Sequence, residues 1–171
     1  MTTDTPLPTA AAAILHTRSV EDTREFAAAL GSVARAGDRI ALVGPLGAGK
    51  TQFAKGFARG LGVTEVVNSP SFTLMAEYAG RLPLFHQDLY RLSGAEEAIA
   101  GGMVDERQLD GVTLSEWGDR LPEELDPART TVSIEVVGDD ERRVTVAAAG
   151  SDPNSYVYAA ERWAREAKVE R

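Results

Sequence analysis

The sequence predicts an α/β domain with a mixed central β-sheet flanked by helices. Short apolar segments bounded by Gly or charged residues are typical of buried strands, and several occur along the chain. Early in the chain they alternate with amphipathic helical patterns, which favours parallel strands. Later, two such segments flank residues 138–141, which indicates an antiparallel hairpin. A sheet with both kinds of pairing accounts for these three observations.

The composition is typical of one globular domain. The chain has 171 residues, of which 43% are hydrophobic. Its net charge of −8 disfavours stand-alone nucleic-acid binding, which usually needs a basic face. It contains no Cys, which excludes disulfides, Cys-ligated zinc, iron–sulfur clusters and thiol catalysis. Because no uncharged apolar run reaches the ~18 residues of a membrane span, we expect a cytoplasmic protein without membrane contact.

The first predicted strand, residues 11–17, is followed by a predicted helix. Ser19 and Asp22 have the spacing of a capping box, which favours a helix start at this point. The helix has an apolar face made by Phe26, Ala27, Leu30, Val33 and Ala34. We expect it to end at Gly37 and Asp38, because Gly is a strong stop signal.

A second strand and helix follow directly. Residues 39–43 are largely apolar and bounded on both sides, which indicates a buried strand, and residues 44–49 are loop-like. Residues 50–61 predict a helix with an apolar face made by Phe53, Ala54, Phe57, Ala58 and Leu61. Gly62 is its expected stop.

The second half of the chain predicts two hairpins, one further buried strand and two helices. The predicted strands are residues 72–78, 81–85, 112–115, 130–137 and 142–148. Ser93 and Glu96 have capping-box spacing and predict a third helix. Asp152 and Pro153 predict the start of a last helix. This helix has an apolar docking face made by Val157, Ala160, Trp163, Ala164 and Ala167.

These elements divide the chain into three parts. Residues 1–10 are expected to be a flexible N-terminus, because they are rich in Thr and Pro. Residues 11–149 form the predicted main domain. Residues 150–171 are expected to be a linker and a C-terminal helix.

One motif has a specific chemical meaning. Gly44-Pro45-Leu46-Gly47-Ala48-Gly49-Lys50-Thr51 matches G-x-x-x-x-G-K-[ST] between a predicted strand and a predicted helix. Glycines let backbone N–H groups surround an anion, and the helix start adds a positive end. Lys50 then supplies a cation to the β/γ-phosphates, and the hydroxyl of Thr51 can ligate Mg²⁺. The motif predicts a P-loop NTPase fold; Gln52 and Trp117 complete the predicted nucleotide-binding residues.

Two acids are candidate Mg²⁺ ligands and, with Lys50, candidate catalytic residues. Asp88 follows the apolar-rich residues 82–87, and Glu116 follows the predicted strand 112–115. A P-loop enzyme needs such a carboxylate at the end of a buried strand, and Mg²⁺ accepts one or two of them. The open alternative for each is a solvated acid at a strand end.

A polar loop after the P-loop helix is the candidate switch segment. It consists of Ser69, Pro70, Ser71, Phe72 and Thr73. In P-loop switches this region often senses the γ-phosphate, although an ordinary loop is the alternative. For Trp117 both a nucleotide contact and a core position remain open, and His86 is expected to be structural. The chain lacks an N-K-x-D-like segment, which favours adenine over guanine.

Four segments together resemble one known family. They are the P-loop, S-P-S-F-T-L at residues 69–74, H-Q-D-L-Y-R-L at 86–92, and L-S-E-W at 114–117. In this order and spacing they resemble the TsaE family, also called YjeE, bacterial ATPases of the threonylcarbamoyladenosine tRNA-modification system. The P-loop alone is generic, whereas the other segments make the resemblance specific. It covers about residues 15–148 of the chain.

The resemblance implies a residue-by-residue assignment. Lys50 and the loop glycines would hold ATP phosphates, whereas Thr51, Asp88 and Glu116 would surround Mg²⁺. Trp117 would lie beside the active site, and residues 69–73 would be the switch. The implied partners are TsaB and TsaD, with tRNA contacted only indirectly through them. Hydrolysis would be slow without that complex.

Three positions depart from the family pattern, and two other functions stay open. Ser71 and Gln52 stand where Thr is usual, and Ser115 replaces an apolar residue. One alternative is a small-molecule kinase, which would need an acceptor pocket and an Arg-rich lid. The other is a nucleotide-gated binding module with negligible turnover.

Overall fold

A computed structural model of the chain describes residues 12–148 and 154–169. The strands are β1 (Ala12–Thr17), β2 (Arg39–Val43), β3 (Met75–Ala79), β4 (Pro83–Asp88), β5 (Val112–Glu116), β6 (Thr130–Val136) and β7 (Arg142–Ala147). The helices are α1 (Val20–Ser32), α2 (Lys50–Gly60), α3 (Ala95–Ala100) and α4 (Asn154–Val169). The predicted N-terminus 1–10, the linker at 150–153 and the Asp152-Pro153 helix start lie outside the described residues. Within the described ranges, no helix is long and apolar enough to cross a membrane.

The seven strands form one mixed sheet in the order β1-β7-β6-β2-β5-β4-β3. Its centre is parallel, because β2 pairs with β5 and β6, and β4 pairs with β5. Both sides end in antiparallel pairs, β1 and β6 with β7, and β3 with β4. The predicted mixed α/β fold is confirmed. The carboxyl ends of β2, β4 and β5 meet at one edge of the sheet.

Helices α1, α2 and α4 pack together over one face of this sheet. The core between them is aromatic: the Phe26 ring is 6.0 Å from Phe53 and 5.3 Å from Trp163, both edge-on. The α4 contact confirms the predicted docking face. Close packing of α1 on α2 needs glycines, since a Cβ at Gly56 or Gly60 would lie 2.2 or 2.0 Å from a backbone oxygen of α1. Helix α2, which begins at the P-loop, is therefore held firmly in place.

Three predicted boundaries were wrong. Helix α1 ends at Ser32, with Val33 as its C-cap, rather than at Gly37 and Asp38. The hairpin strand β3 begins at Met75 rather than at residue 72, because Leu74 adopts a left-handed conformation with φ 66°. Its partner β4 runs from Pro83 to Asp88, past the predicted end at residue 85. Residues 72–74 therefore belong to a turn beside the strand ends.

The predicted helix caps had different outcomes. Ser19 caps α1 as expected, because its side chain accepts a hydrogen bond from the Asp22 N–H at 3.0 Å. The capping box predicted from Ser93 was wrong, since the cap of α3 is Gly94. Ser93 instead donates from its N–H and hydroxyl to the Glu97 carboxylate, one residue beyond the predicted partner.

Candidate active site

The loop between β2 and α2 has the backbone that the motif predicts. Gly47 and Gly49 have φ angles of +83° and +104°, which other residues rarely adopt. A Cβ at Gly44 would lie 2.7 Å from the Ile134 carbonyl oxygen of β6. The glycines thus allow the loop to turn tightly against the neighbouring strand, at the start of α2.

Lys50 lies within this loop. Its Nζ donates to the carbonyl oxygens of Gly44, at 2.6 Å, and Pro45, at 2.9 Å. The same ammonium lies 3.8 Å from the ring centroid of Trp117, a cation–π contact. Burial lowers the pKa of Lys50, although nearby carboxylates, Glu116 first among them, oppose this effect. The ammonium is thus a desolvated cation beside the strand-end acids.

Glu116 is buried at the end of β5 and joins two other elements. Its Oε1 accepts a hydrogen bond from the Thr51 hydroxyl of α2 at 2.8 Å. Its Oε2 lies 2.7 Å from Nε2 of His86 on β4. Only 3% of Glu116 is exposed, so these contacts orient a carboxylate largely shielded from water.

Asp88 lies beside Glu116, because the two residues are register partners at the ends of β4 and β5. Its Oδ2 accepts hydrogen bonds from Ser69 at 2.9 Å and from Ser71 at 3.4 Å. Its Oδ1 accepts the Tyr90 N–H at 3.0 Å. Both acids therefore share the site, and neither is a freely solvated strand-end residue.

The predicted switch segment divides in the structure. Ser69 and Ser71 reach Asp88, whereas the Thr73 hydroxyl donates to the Met75 carbonyl oxygen at 3.3 Å. Pro70 accepts the Leu74 N–H and closes the turn. Two serine hydroxyls thus connect this segment to the acid cluster.

Trp117 forms part of the wall of the site. It has φ 55°, and the following Gly118 is required because a Cβ there would lie 2.4 Å from the Ala41 Cβ. Its ring is 4.9 Å from Tyr90 and packs against the smaller apolar cluster. Trp117 therefore has a packing role and also contacts the P-loop lysine. It borders a cleft of about 180 Å³, whose other lining residues are Leu46, Ser71, Asp88, Tyr90 and Arg91.

Sequence reasoning missed two supporting residues, and it missed the contact that His86, expected to be structural, makes with Glu116. Arg142 of β7 donates from Nε to the Ala48 carbonyl oxygen at 2.9 Å and so supports the P-loop. Arg24 of α1 donates from Nε to the Gln52 side chain at 2.9 Å. No local pattern reveals these long-range contacts. The position of His86 could have been inferred from the sequence. It lies two residues before Asp88 on one strand, so the two side chains share a sheet face.

The donor set fits a nucleotide phosphate group with Mg²⁺. Thr51 offers a hydroxyl, and Asp88 and Glu116 offer carboxylates, which are the hard oxygen ligands that Mg²⁺ prefers. Among the residues that the structure describes, no three His, Cys, Asp or Glu side chains group as a metal site. Mg²⁺ suits a smaller set, because it keeps several waters and uses substrate phosphates as ligands.

A glycine-rich loop between a parallel strand and a helix, with two acids at adjacent strand ends, defines the P-loop class of α/β proteins. Comparisons identify the family within this class. A model of "Threonylcarbamoyl adenosine biosynthesis protein TsaE" matches residues 17–144. The chain belongs to the TsaE family, which confirms the resemblance seen in its motifs.

Individual relatives cover most of the chain. The tRNA threonylcarbamoyladenosine biosynthesis protein TsaE of Bacillus subtilis is 43% identical over 137 residues, 80% of this chain and 85% of the relative. The protein of the same name from Treponema pallidum is 42% identical over 130 residues, 76% of this chain and 96% of the relative. The crystal structure of Bacillus subtilis YdiB has a TM-score of 0.68 and 37% identity, and the match covers 94% of this chain and 99% of YdiB. The likeness thus extends over nearly the whole of both folds.

Proposed function

We propose that this protein binds and hydrolyses ATP with Mg²⁺ and thereby supports threonylcarbamoyladenosine modification of tRNA through a TsaB–TsaD complex. The names of its relatives support the pathway. The observation that carries the chemistry is the 2.8 Å hydrogen bond between Thr51 and Glu116 at the start of the P-loop helix. It joins two predicted metal ligands from distant parts of the chain.

The proposed roles follow from what each group can donate or accept. Lys50 exchanges its bonds to the Gly44 and Pro45 carbonyls for phosphate oxygens, where a preorganised cation stabilises developing negative charge. The Thr51 hydroxyl and the Glu116 carboxylate would hold Mg²⁺. When bound, Mg²⁺ neutralises charge on the β- and γ-phosphate oxygens.

Asp88 connects this chemistry to the switch segment. Its carboxylate accepts hydrogen bonds from Ser69 and Ser71, so a change in the position or charge of Asp88 acts directly on residues 69–73. A γ-phosphate that recruits either hydroxyl would free part of Asp88 for the metal shell. This exchange offers a physical route from the nucleotide state to the surface of the protein.

The surface beside the cleft supports a protein partner. Leu46, 87% exposed, and Tyr90, 52% exposed, line the cleft. Phe72, 89% exposed, has its ring centroid 5.7 Å from the guanidinium carbon of Arg91, another lining residue. Large apolar side chains gathered at a site mouth are typical of interaction surfaces. Binding there would contact both the P-loop and the switch, and would couple affinity for the partner to the nucleotide state.

The test is phosphate release from ATP by the full chain, alone and with purified TsaB and TsaD homologues. We expect slow, Mg²⁺-dependent release from the protein alone and stimulation by the pair. An Arg supplied in trans is worth about 10³–10⁵-fold in other P-loop systems. Each component without the others gives the background rate.

Other outcomes would favour the competing functions. Transfer of the γ-phosphate to a small-molecule acceptor would indicate a kinase. Tight, nucleotide-dependent binding to the pair without any increase in hydrolysis would indicate a binding module. Failure to bind a fluorescent ADP analogue in any condition would refute the nucleotide site itself.

A further inference from the structure

His86 lies beneath the acid cluster and has no role in the chemistry proposed so far. It is fully buried on β4, and its Nε2 lies 2.7 Å from Glu116 Oε2. In register it pairs with Leu114, so it stands diagonally opposite Glu116 on the same sheet face. Its other ring nitrogen, Nδ1, has no hydrogen-bond partner among the described residues.

The chemistry of the two groups assigns the direction of this bond. An ionised carboxylate has only acceptor sites, so the Nε2 atom carries the hydrogen and donates it. Which ring nitrogen carries a proton is set by the bond it makes. His86 therefore acts on Glu116 as a fixed N–H donor.

The burial of His86 lowers the free energy of unfolding, and a required hydrogen bond from its Nε2 to Glu116 would account for this cost. The register partner on β5, Leu114, is a fully buried aliphatic residue, so this layer of the sheet accommodates an apolar side chain. A buried polar atom without a partner, such as Nδ1, destabilises a fold. An aliphatic residue at position 86 would avoid that cost but would leave Glu116 Oε2 without its donor.

We propose that His86 is a positioning residue for the metal-binding carboxylate: it fixes Glu116 Oε2, so that Oε1 stays at the Thr51 hydroxyl. The proposal rests on the Mg²⁺ site of the proposed function. The two contacts, at 2.7 and 2.8 Å, hold the carboxylate at both oxygens. Without the His86 donor, the carboxylate can rotate about its side-chain bonds and lose the arrangement that suits the cation.

Three substitutions separate donation from packing. His86→Leu removes the donor and keeps an apolar fill. His86→Gln places a side-chain amide near the position of Nε2, whereas His86→Asn places one near Nδ1 and too far from Glu116. The matched control is His16→Leu, because His16 is the only other histidine and is exposed on β1.

The main measurement is binding of a fluorescent ADP analogue across a Mg²⁺ series and in EDTA. Loss of an outer-shell partner typically weakens metal affinity by about 10–100-fold. We expect His86→Leu and His86→Asn to need about that much more Mg²⁺ for half-maximal enhancement of binding. His86→Gln should stay within about threefold of wild type, since it restores the donor. Binding in EDTA should be the same for all variants.

A second measurement needs neither metal nor nucleotide. Long-range ¹H–¹⁵N spectra of the ¹⁵N-histidine-labelled full chain report which nitrogen of each ring is protonated. We expect the His86 signals to show a hydrogen-bonded Nε2–H that moves on Glu116→Gln, while the His16 signals stay unchanged. An Nδ1–H tautomer at His86 would overturn the proposal.

The outcomes distinguish this inference from the proposed function. If wild-type binding does not depend on Mg²⁺, the metal site of the proposed function is wrong. If it does depend on Mg²⁺ and His86→Leu responds to Mg²⁺ as wild type does, the positioning role is wrong. Should His86→Leu fail to fold, the comparison of Gln with Asn decides, because both are polar and only Gln reaches Glu116.

Discussion

Replacing Asp88 by Asn should tighten nucleotide binding in EDTA and weaken it in Mg²⁺, while leaving the fold intact. The Asn oxygen can still accept the Tyr90 N–H, and the Ser69 hydroxyl can turn to accept from the new amide. Charge-assisted hydrogen bonds exceed neutral ones by about 1 kcal/mol each. Removing the charge also relieves repulsion from Glu116, its register partner. With three such bonds on Asp88 and about 1 kcal/mol of repulsion relieved, we expect the free energy of unfolding to fall by about 2 kcal/mol.

The effect on binding follows from Coulomb's law. Two unit charges about 4 Å apart interact by about 1 kcal/mol even in a water-like dielectric. Without metal, loss of the Asp88 charge removes a repulsion from phosphate, so binding should tighten by about 1 kcal/mol, or fivefold. With Mg²⁺, it also removes an attraction to a divalent cation, about 2 kcal/mol, so binding should weaken by about 1 kcal/mol.

The assay is titration of a fluorescent ADP analogue in excess Mg²⁺ and in EDTA, with wild type and Asp88→Asn in parallel. The ratio of the two dissociation constants should change by about 30-fold between the proteins. Asp110→Asn is the matched control, because Asp110 is exposed and precedes β5 at the opposite edge of the sheet. Equal losses in Mg²⁺ and EDTA would refute the reasoning and show that Asp88 is structural.

Two further predictions concern the P-loop and the switch. Lys50→Ala should abolish measurable phosphate release without lowering the melting temperature, because burial already disfavours the ammonium; retained hydrolysis would contradict the P-loop assignment. Ser69→Ala with Ser71→Ala should reduce the difference in affinity for TsaB–TsaD between an ATP analogue and ADP. Thr73→Ala is the control for that pair, since its hydroxyl bonds to a backbone oxygen outside the acid cluster. Biosensor measurements of TsaB–TsaD binding with an ATP analogue, with ADP and without nucleotide test this. If the double variant still distinguishes the ATP analogue from ADP as wild type does, the switch lies elsewhere.

The positions of the candidate site residues in the fold could be predicted because their constraints are local. The P-loop needs glycines, a lysine and a hydroxyl in consecutive positions, and the structure places them at the start of α2 as expected. Asp88 and Glu116 each follow an apolar segment, and parallel pairing of β4 with β5 brings these two strand ends together. Their pairing in register could not be predicted from either segment alone, because register depends on the whole sheet.

Contacts between distant segments could not be predicted from the sequence, for a different reason. The sequence separation between Arg142 and Ala48 is 94 residues, and a side chain donating to a backbone carbonyl leaves no pattern in the residue it contacts. The error at residues 72–74 was local: Leu74, an apolar residue in an apolar run, adopts a left-handed conformation that non-Gly residues rarely take. Its carbonyl oxygen accepts the Asp88 N–H at 2.9 Å, so the turn that ends the strand pattern also holds the acid.

The side-chain groups proposed to bind the phosphates or the metal already have hydrogen-bond partners within the chain. The Lys50 ammonium donates to loop carbonyl oxygens, the Thr51 hydroxyl donates to Glu116, and the Ser69 hydroxyl donates to Asp88. Ligand binding must therefore exchange these hydrogen bonds for new ones, and only the difference contributes to affinity. Because the internal partners include both acids and the proposed switch segment, the exchange would rearrange residues 69–73 together with the proposed metal ligands. A partner that stabilises the exchanged arrangement would raise nucleotide affinity and promote hydrolysis without adding a group to the chemistry.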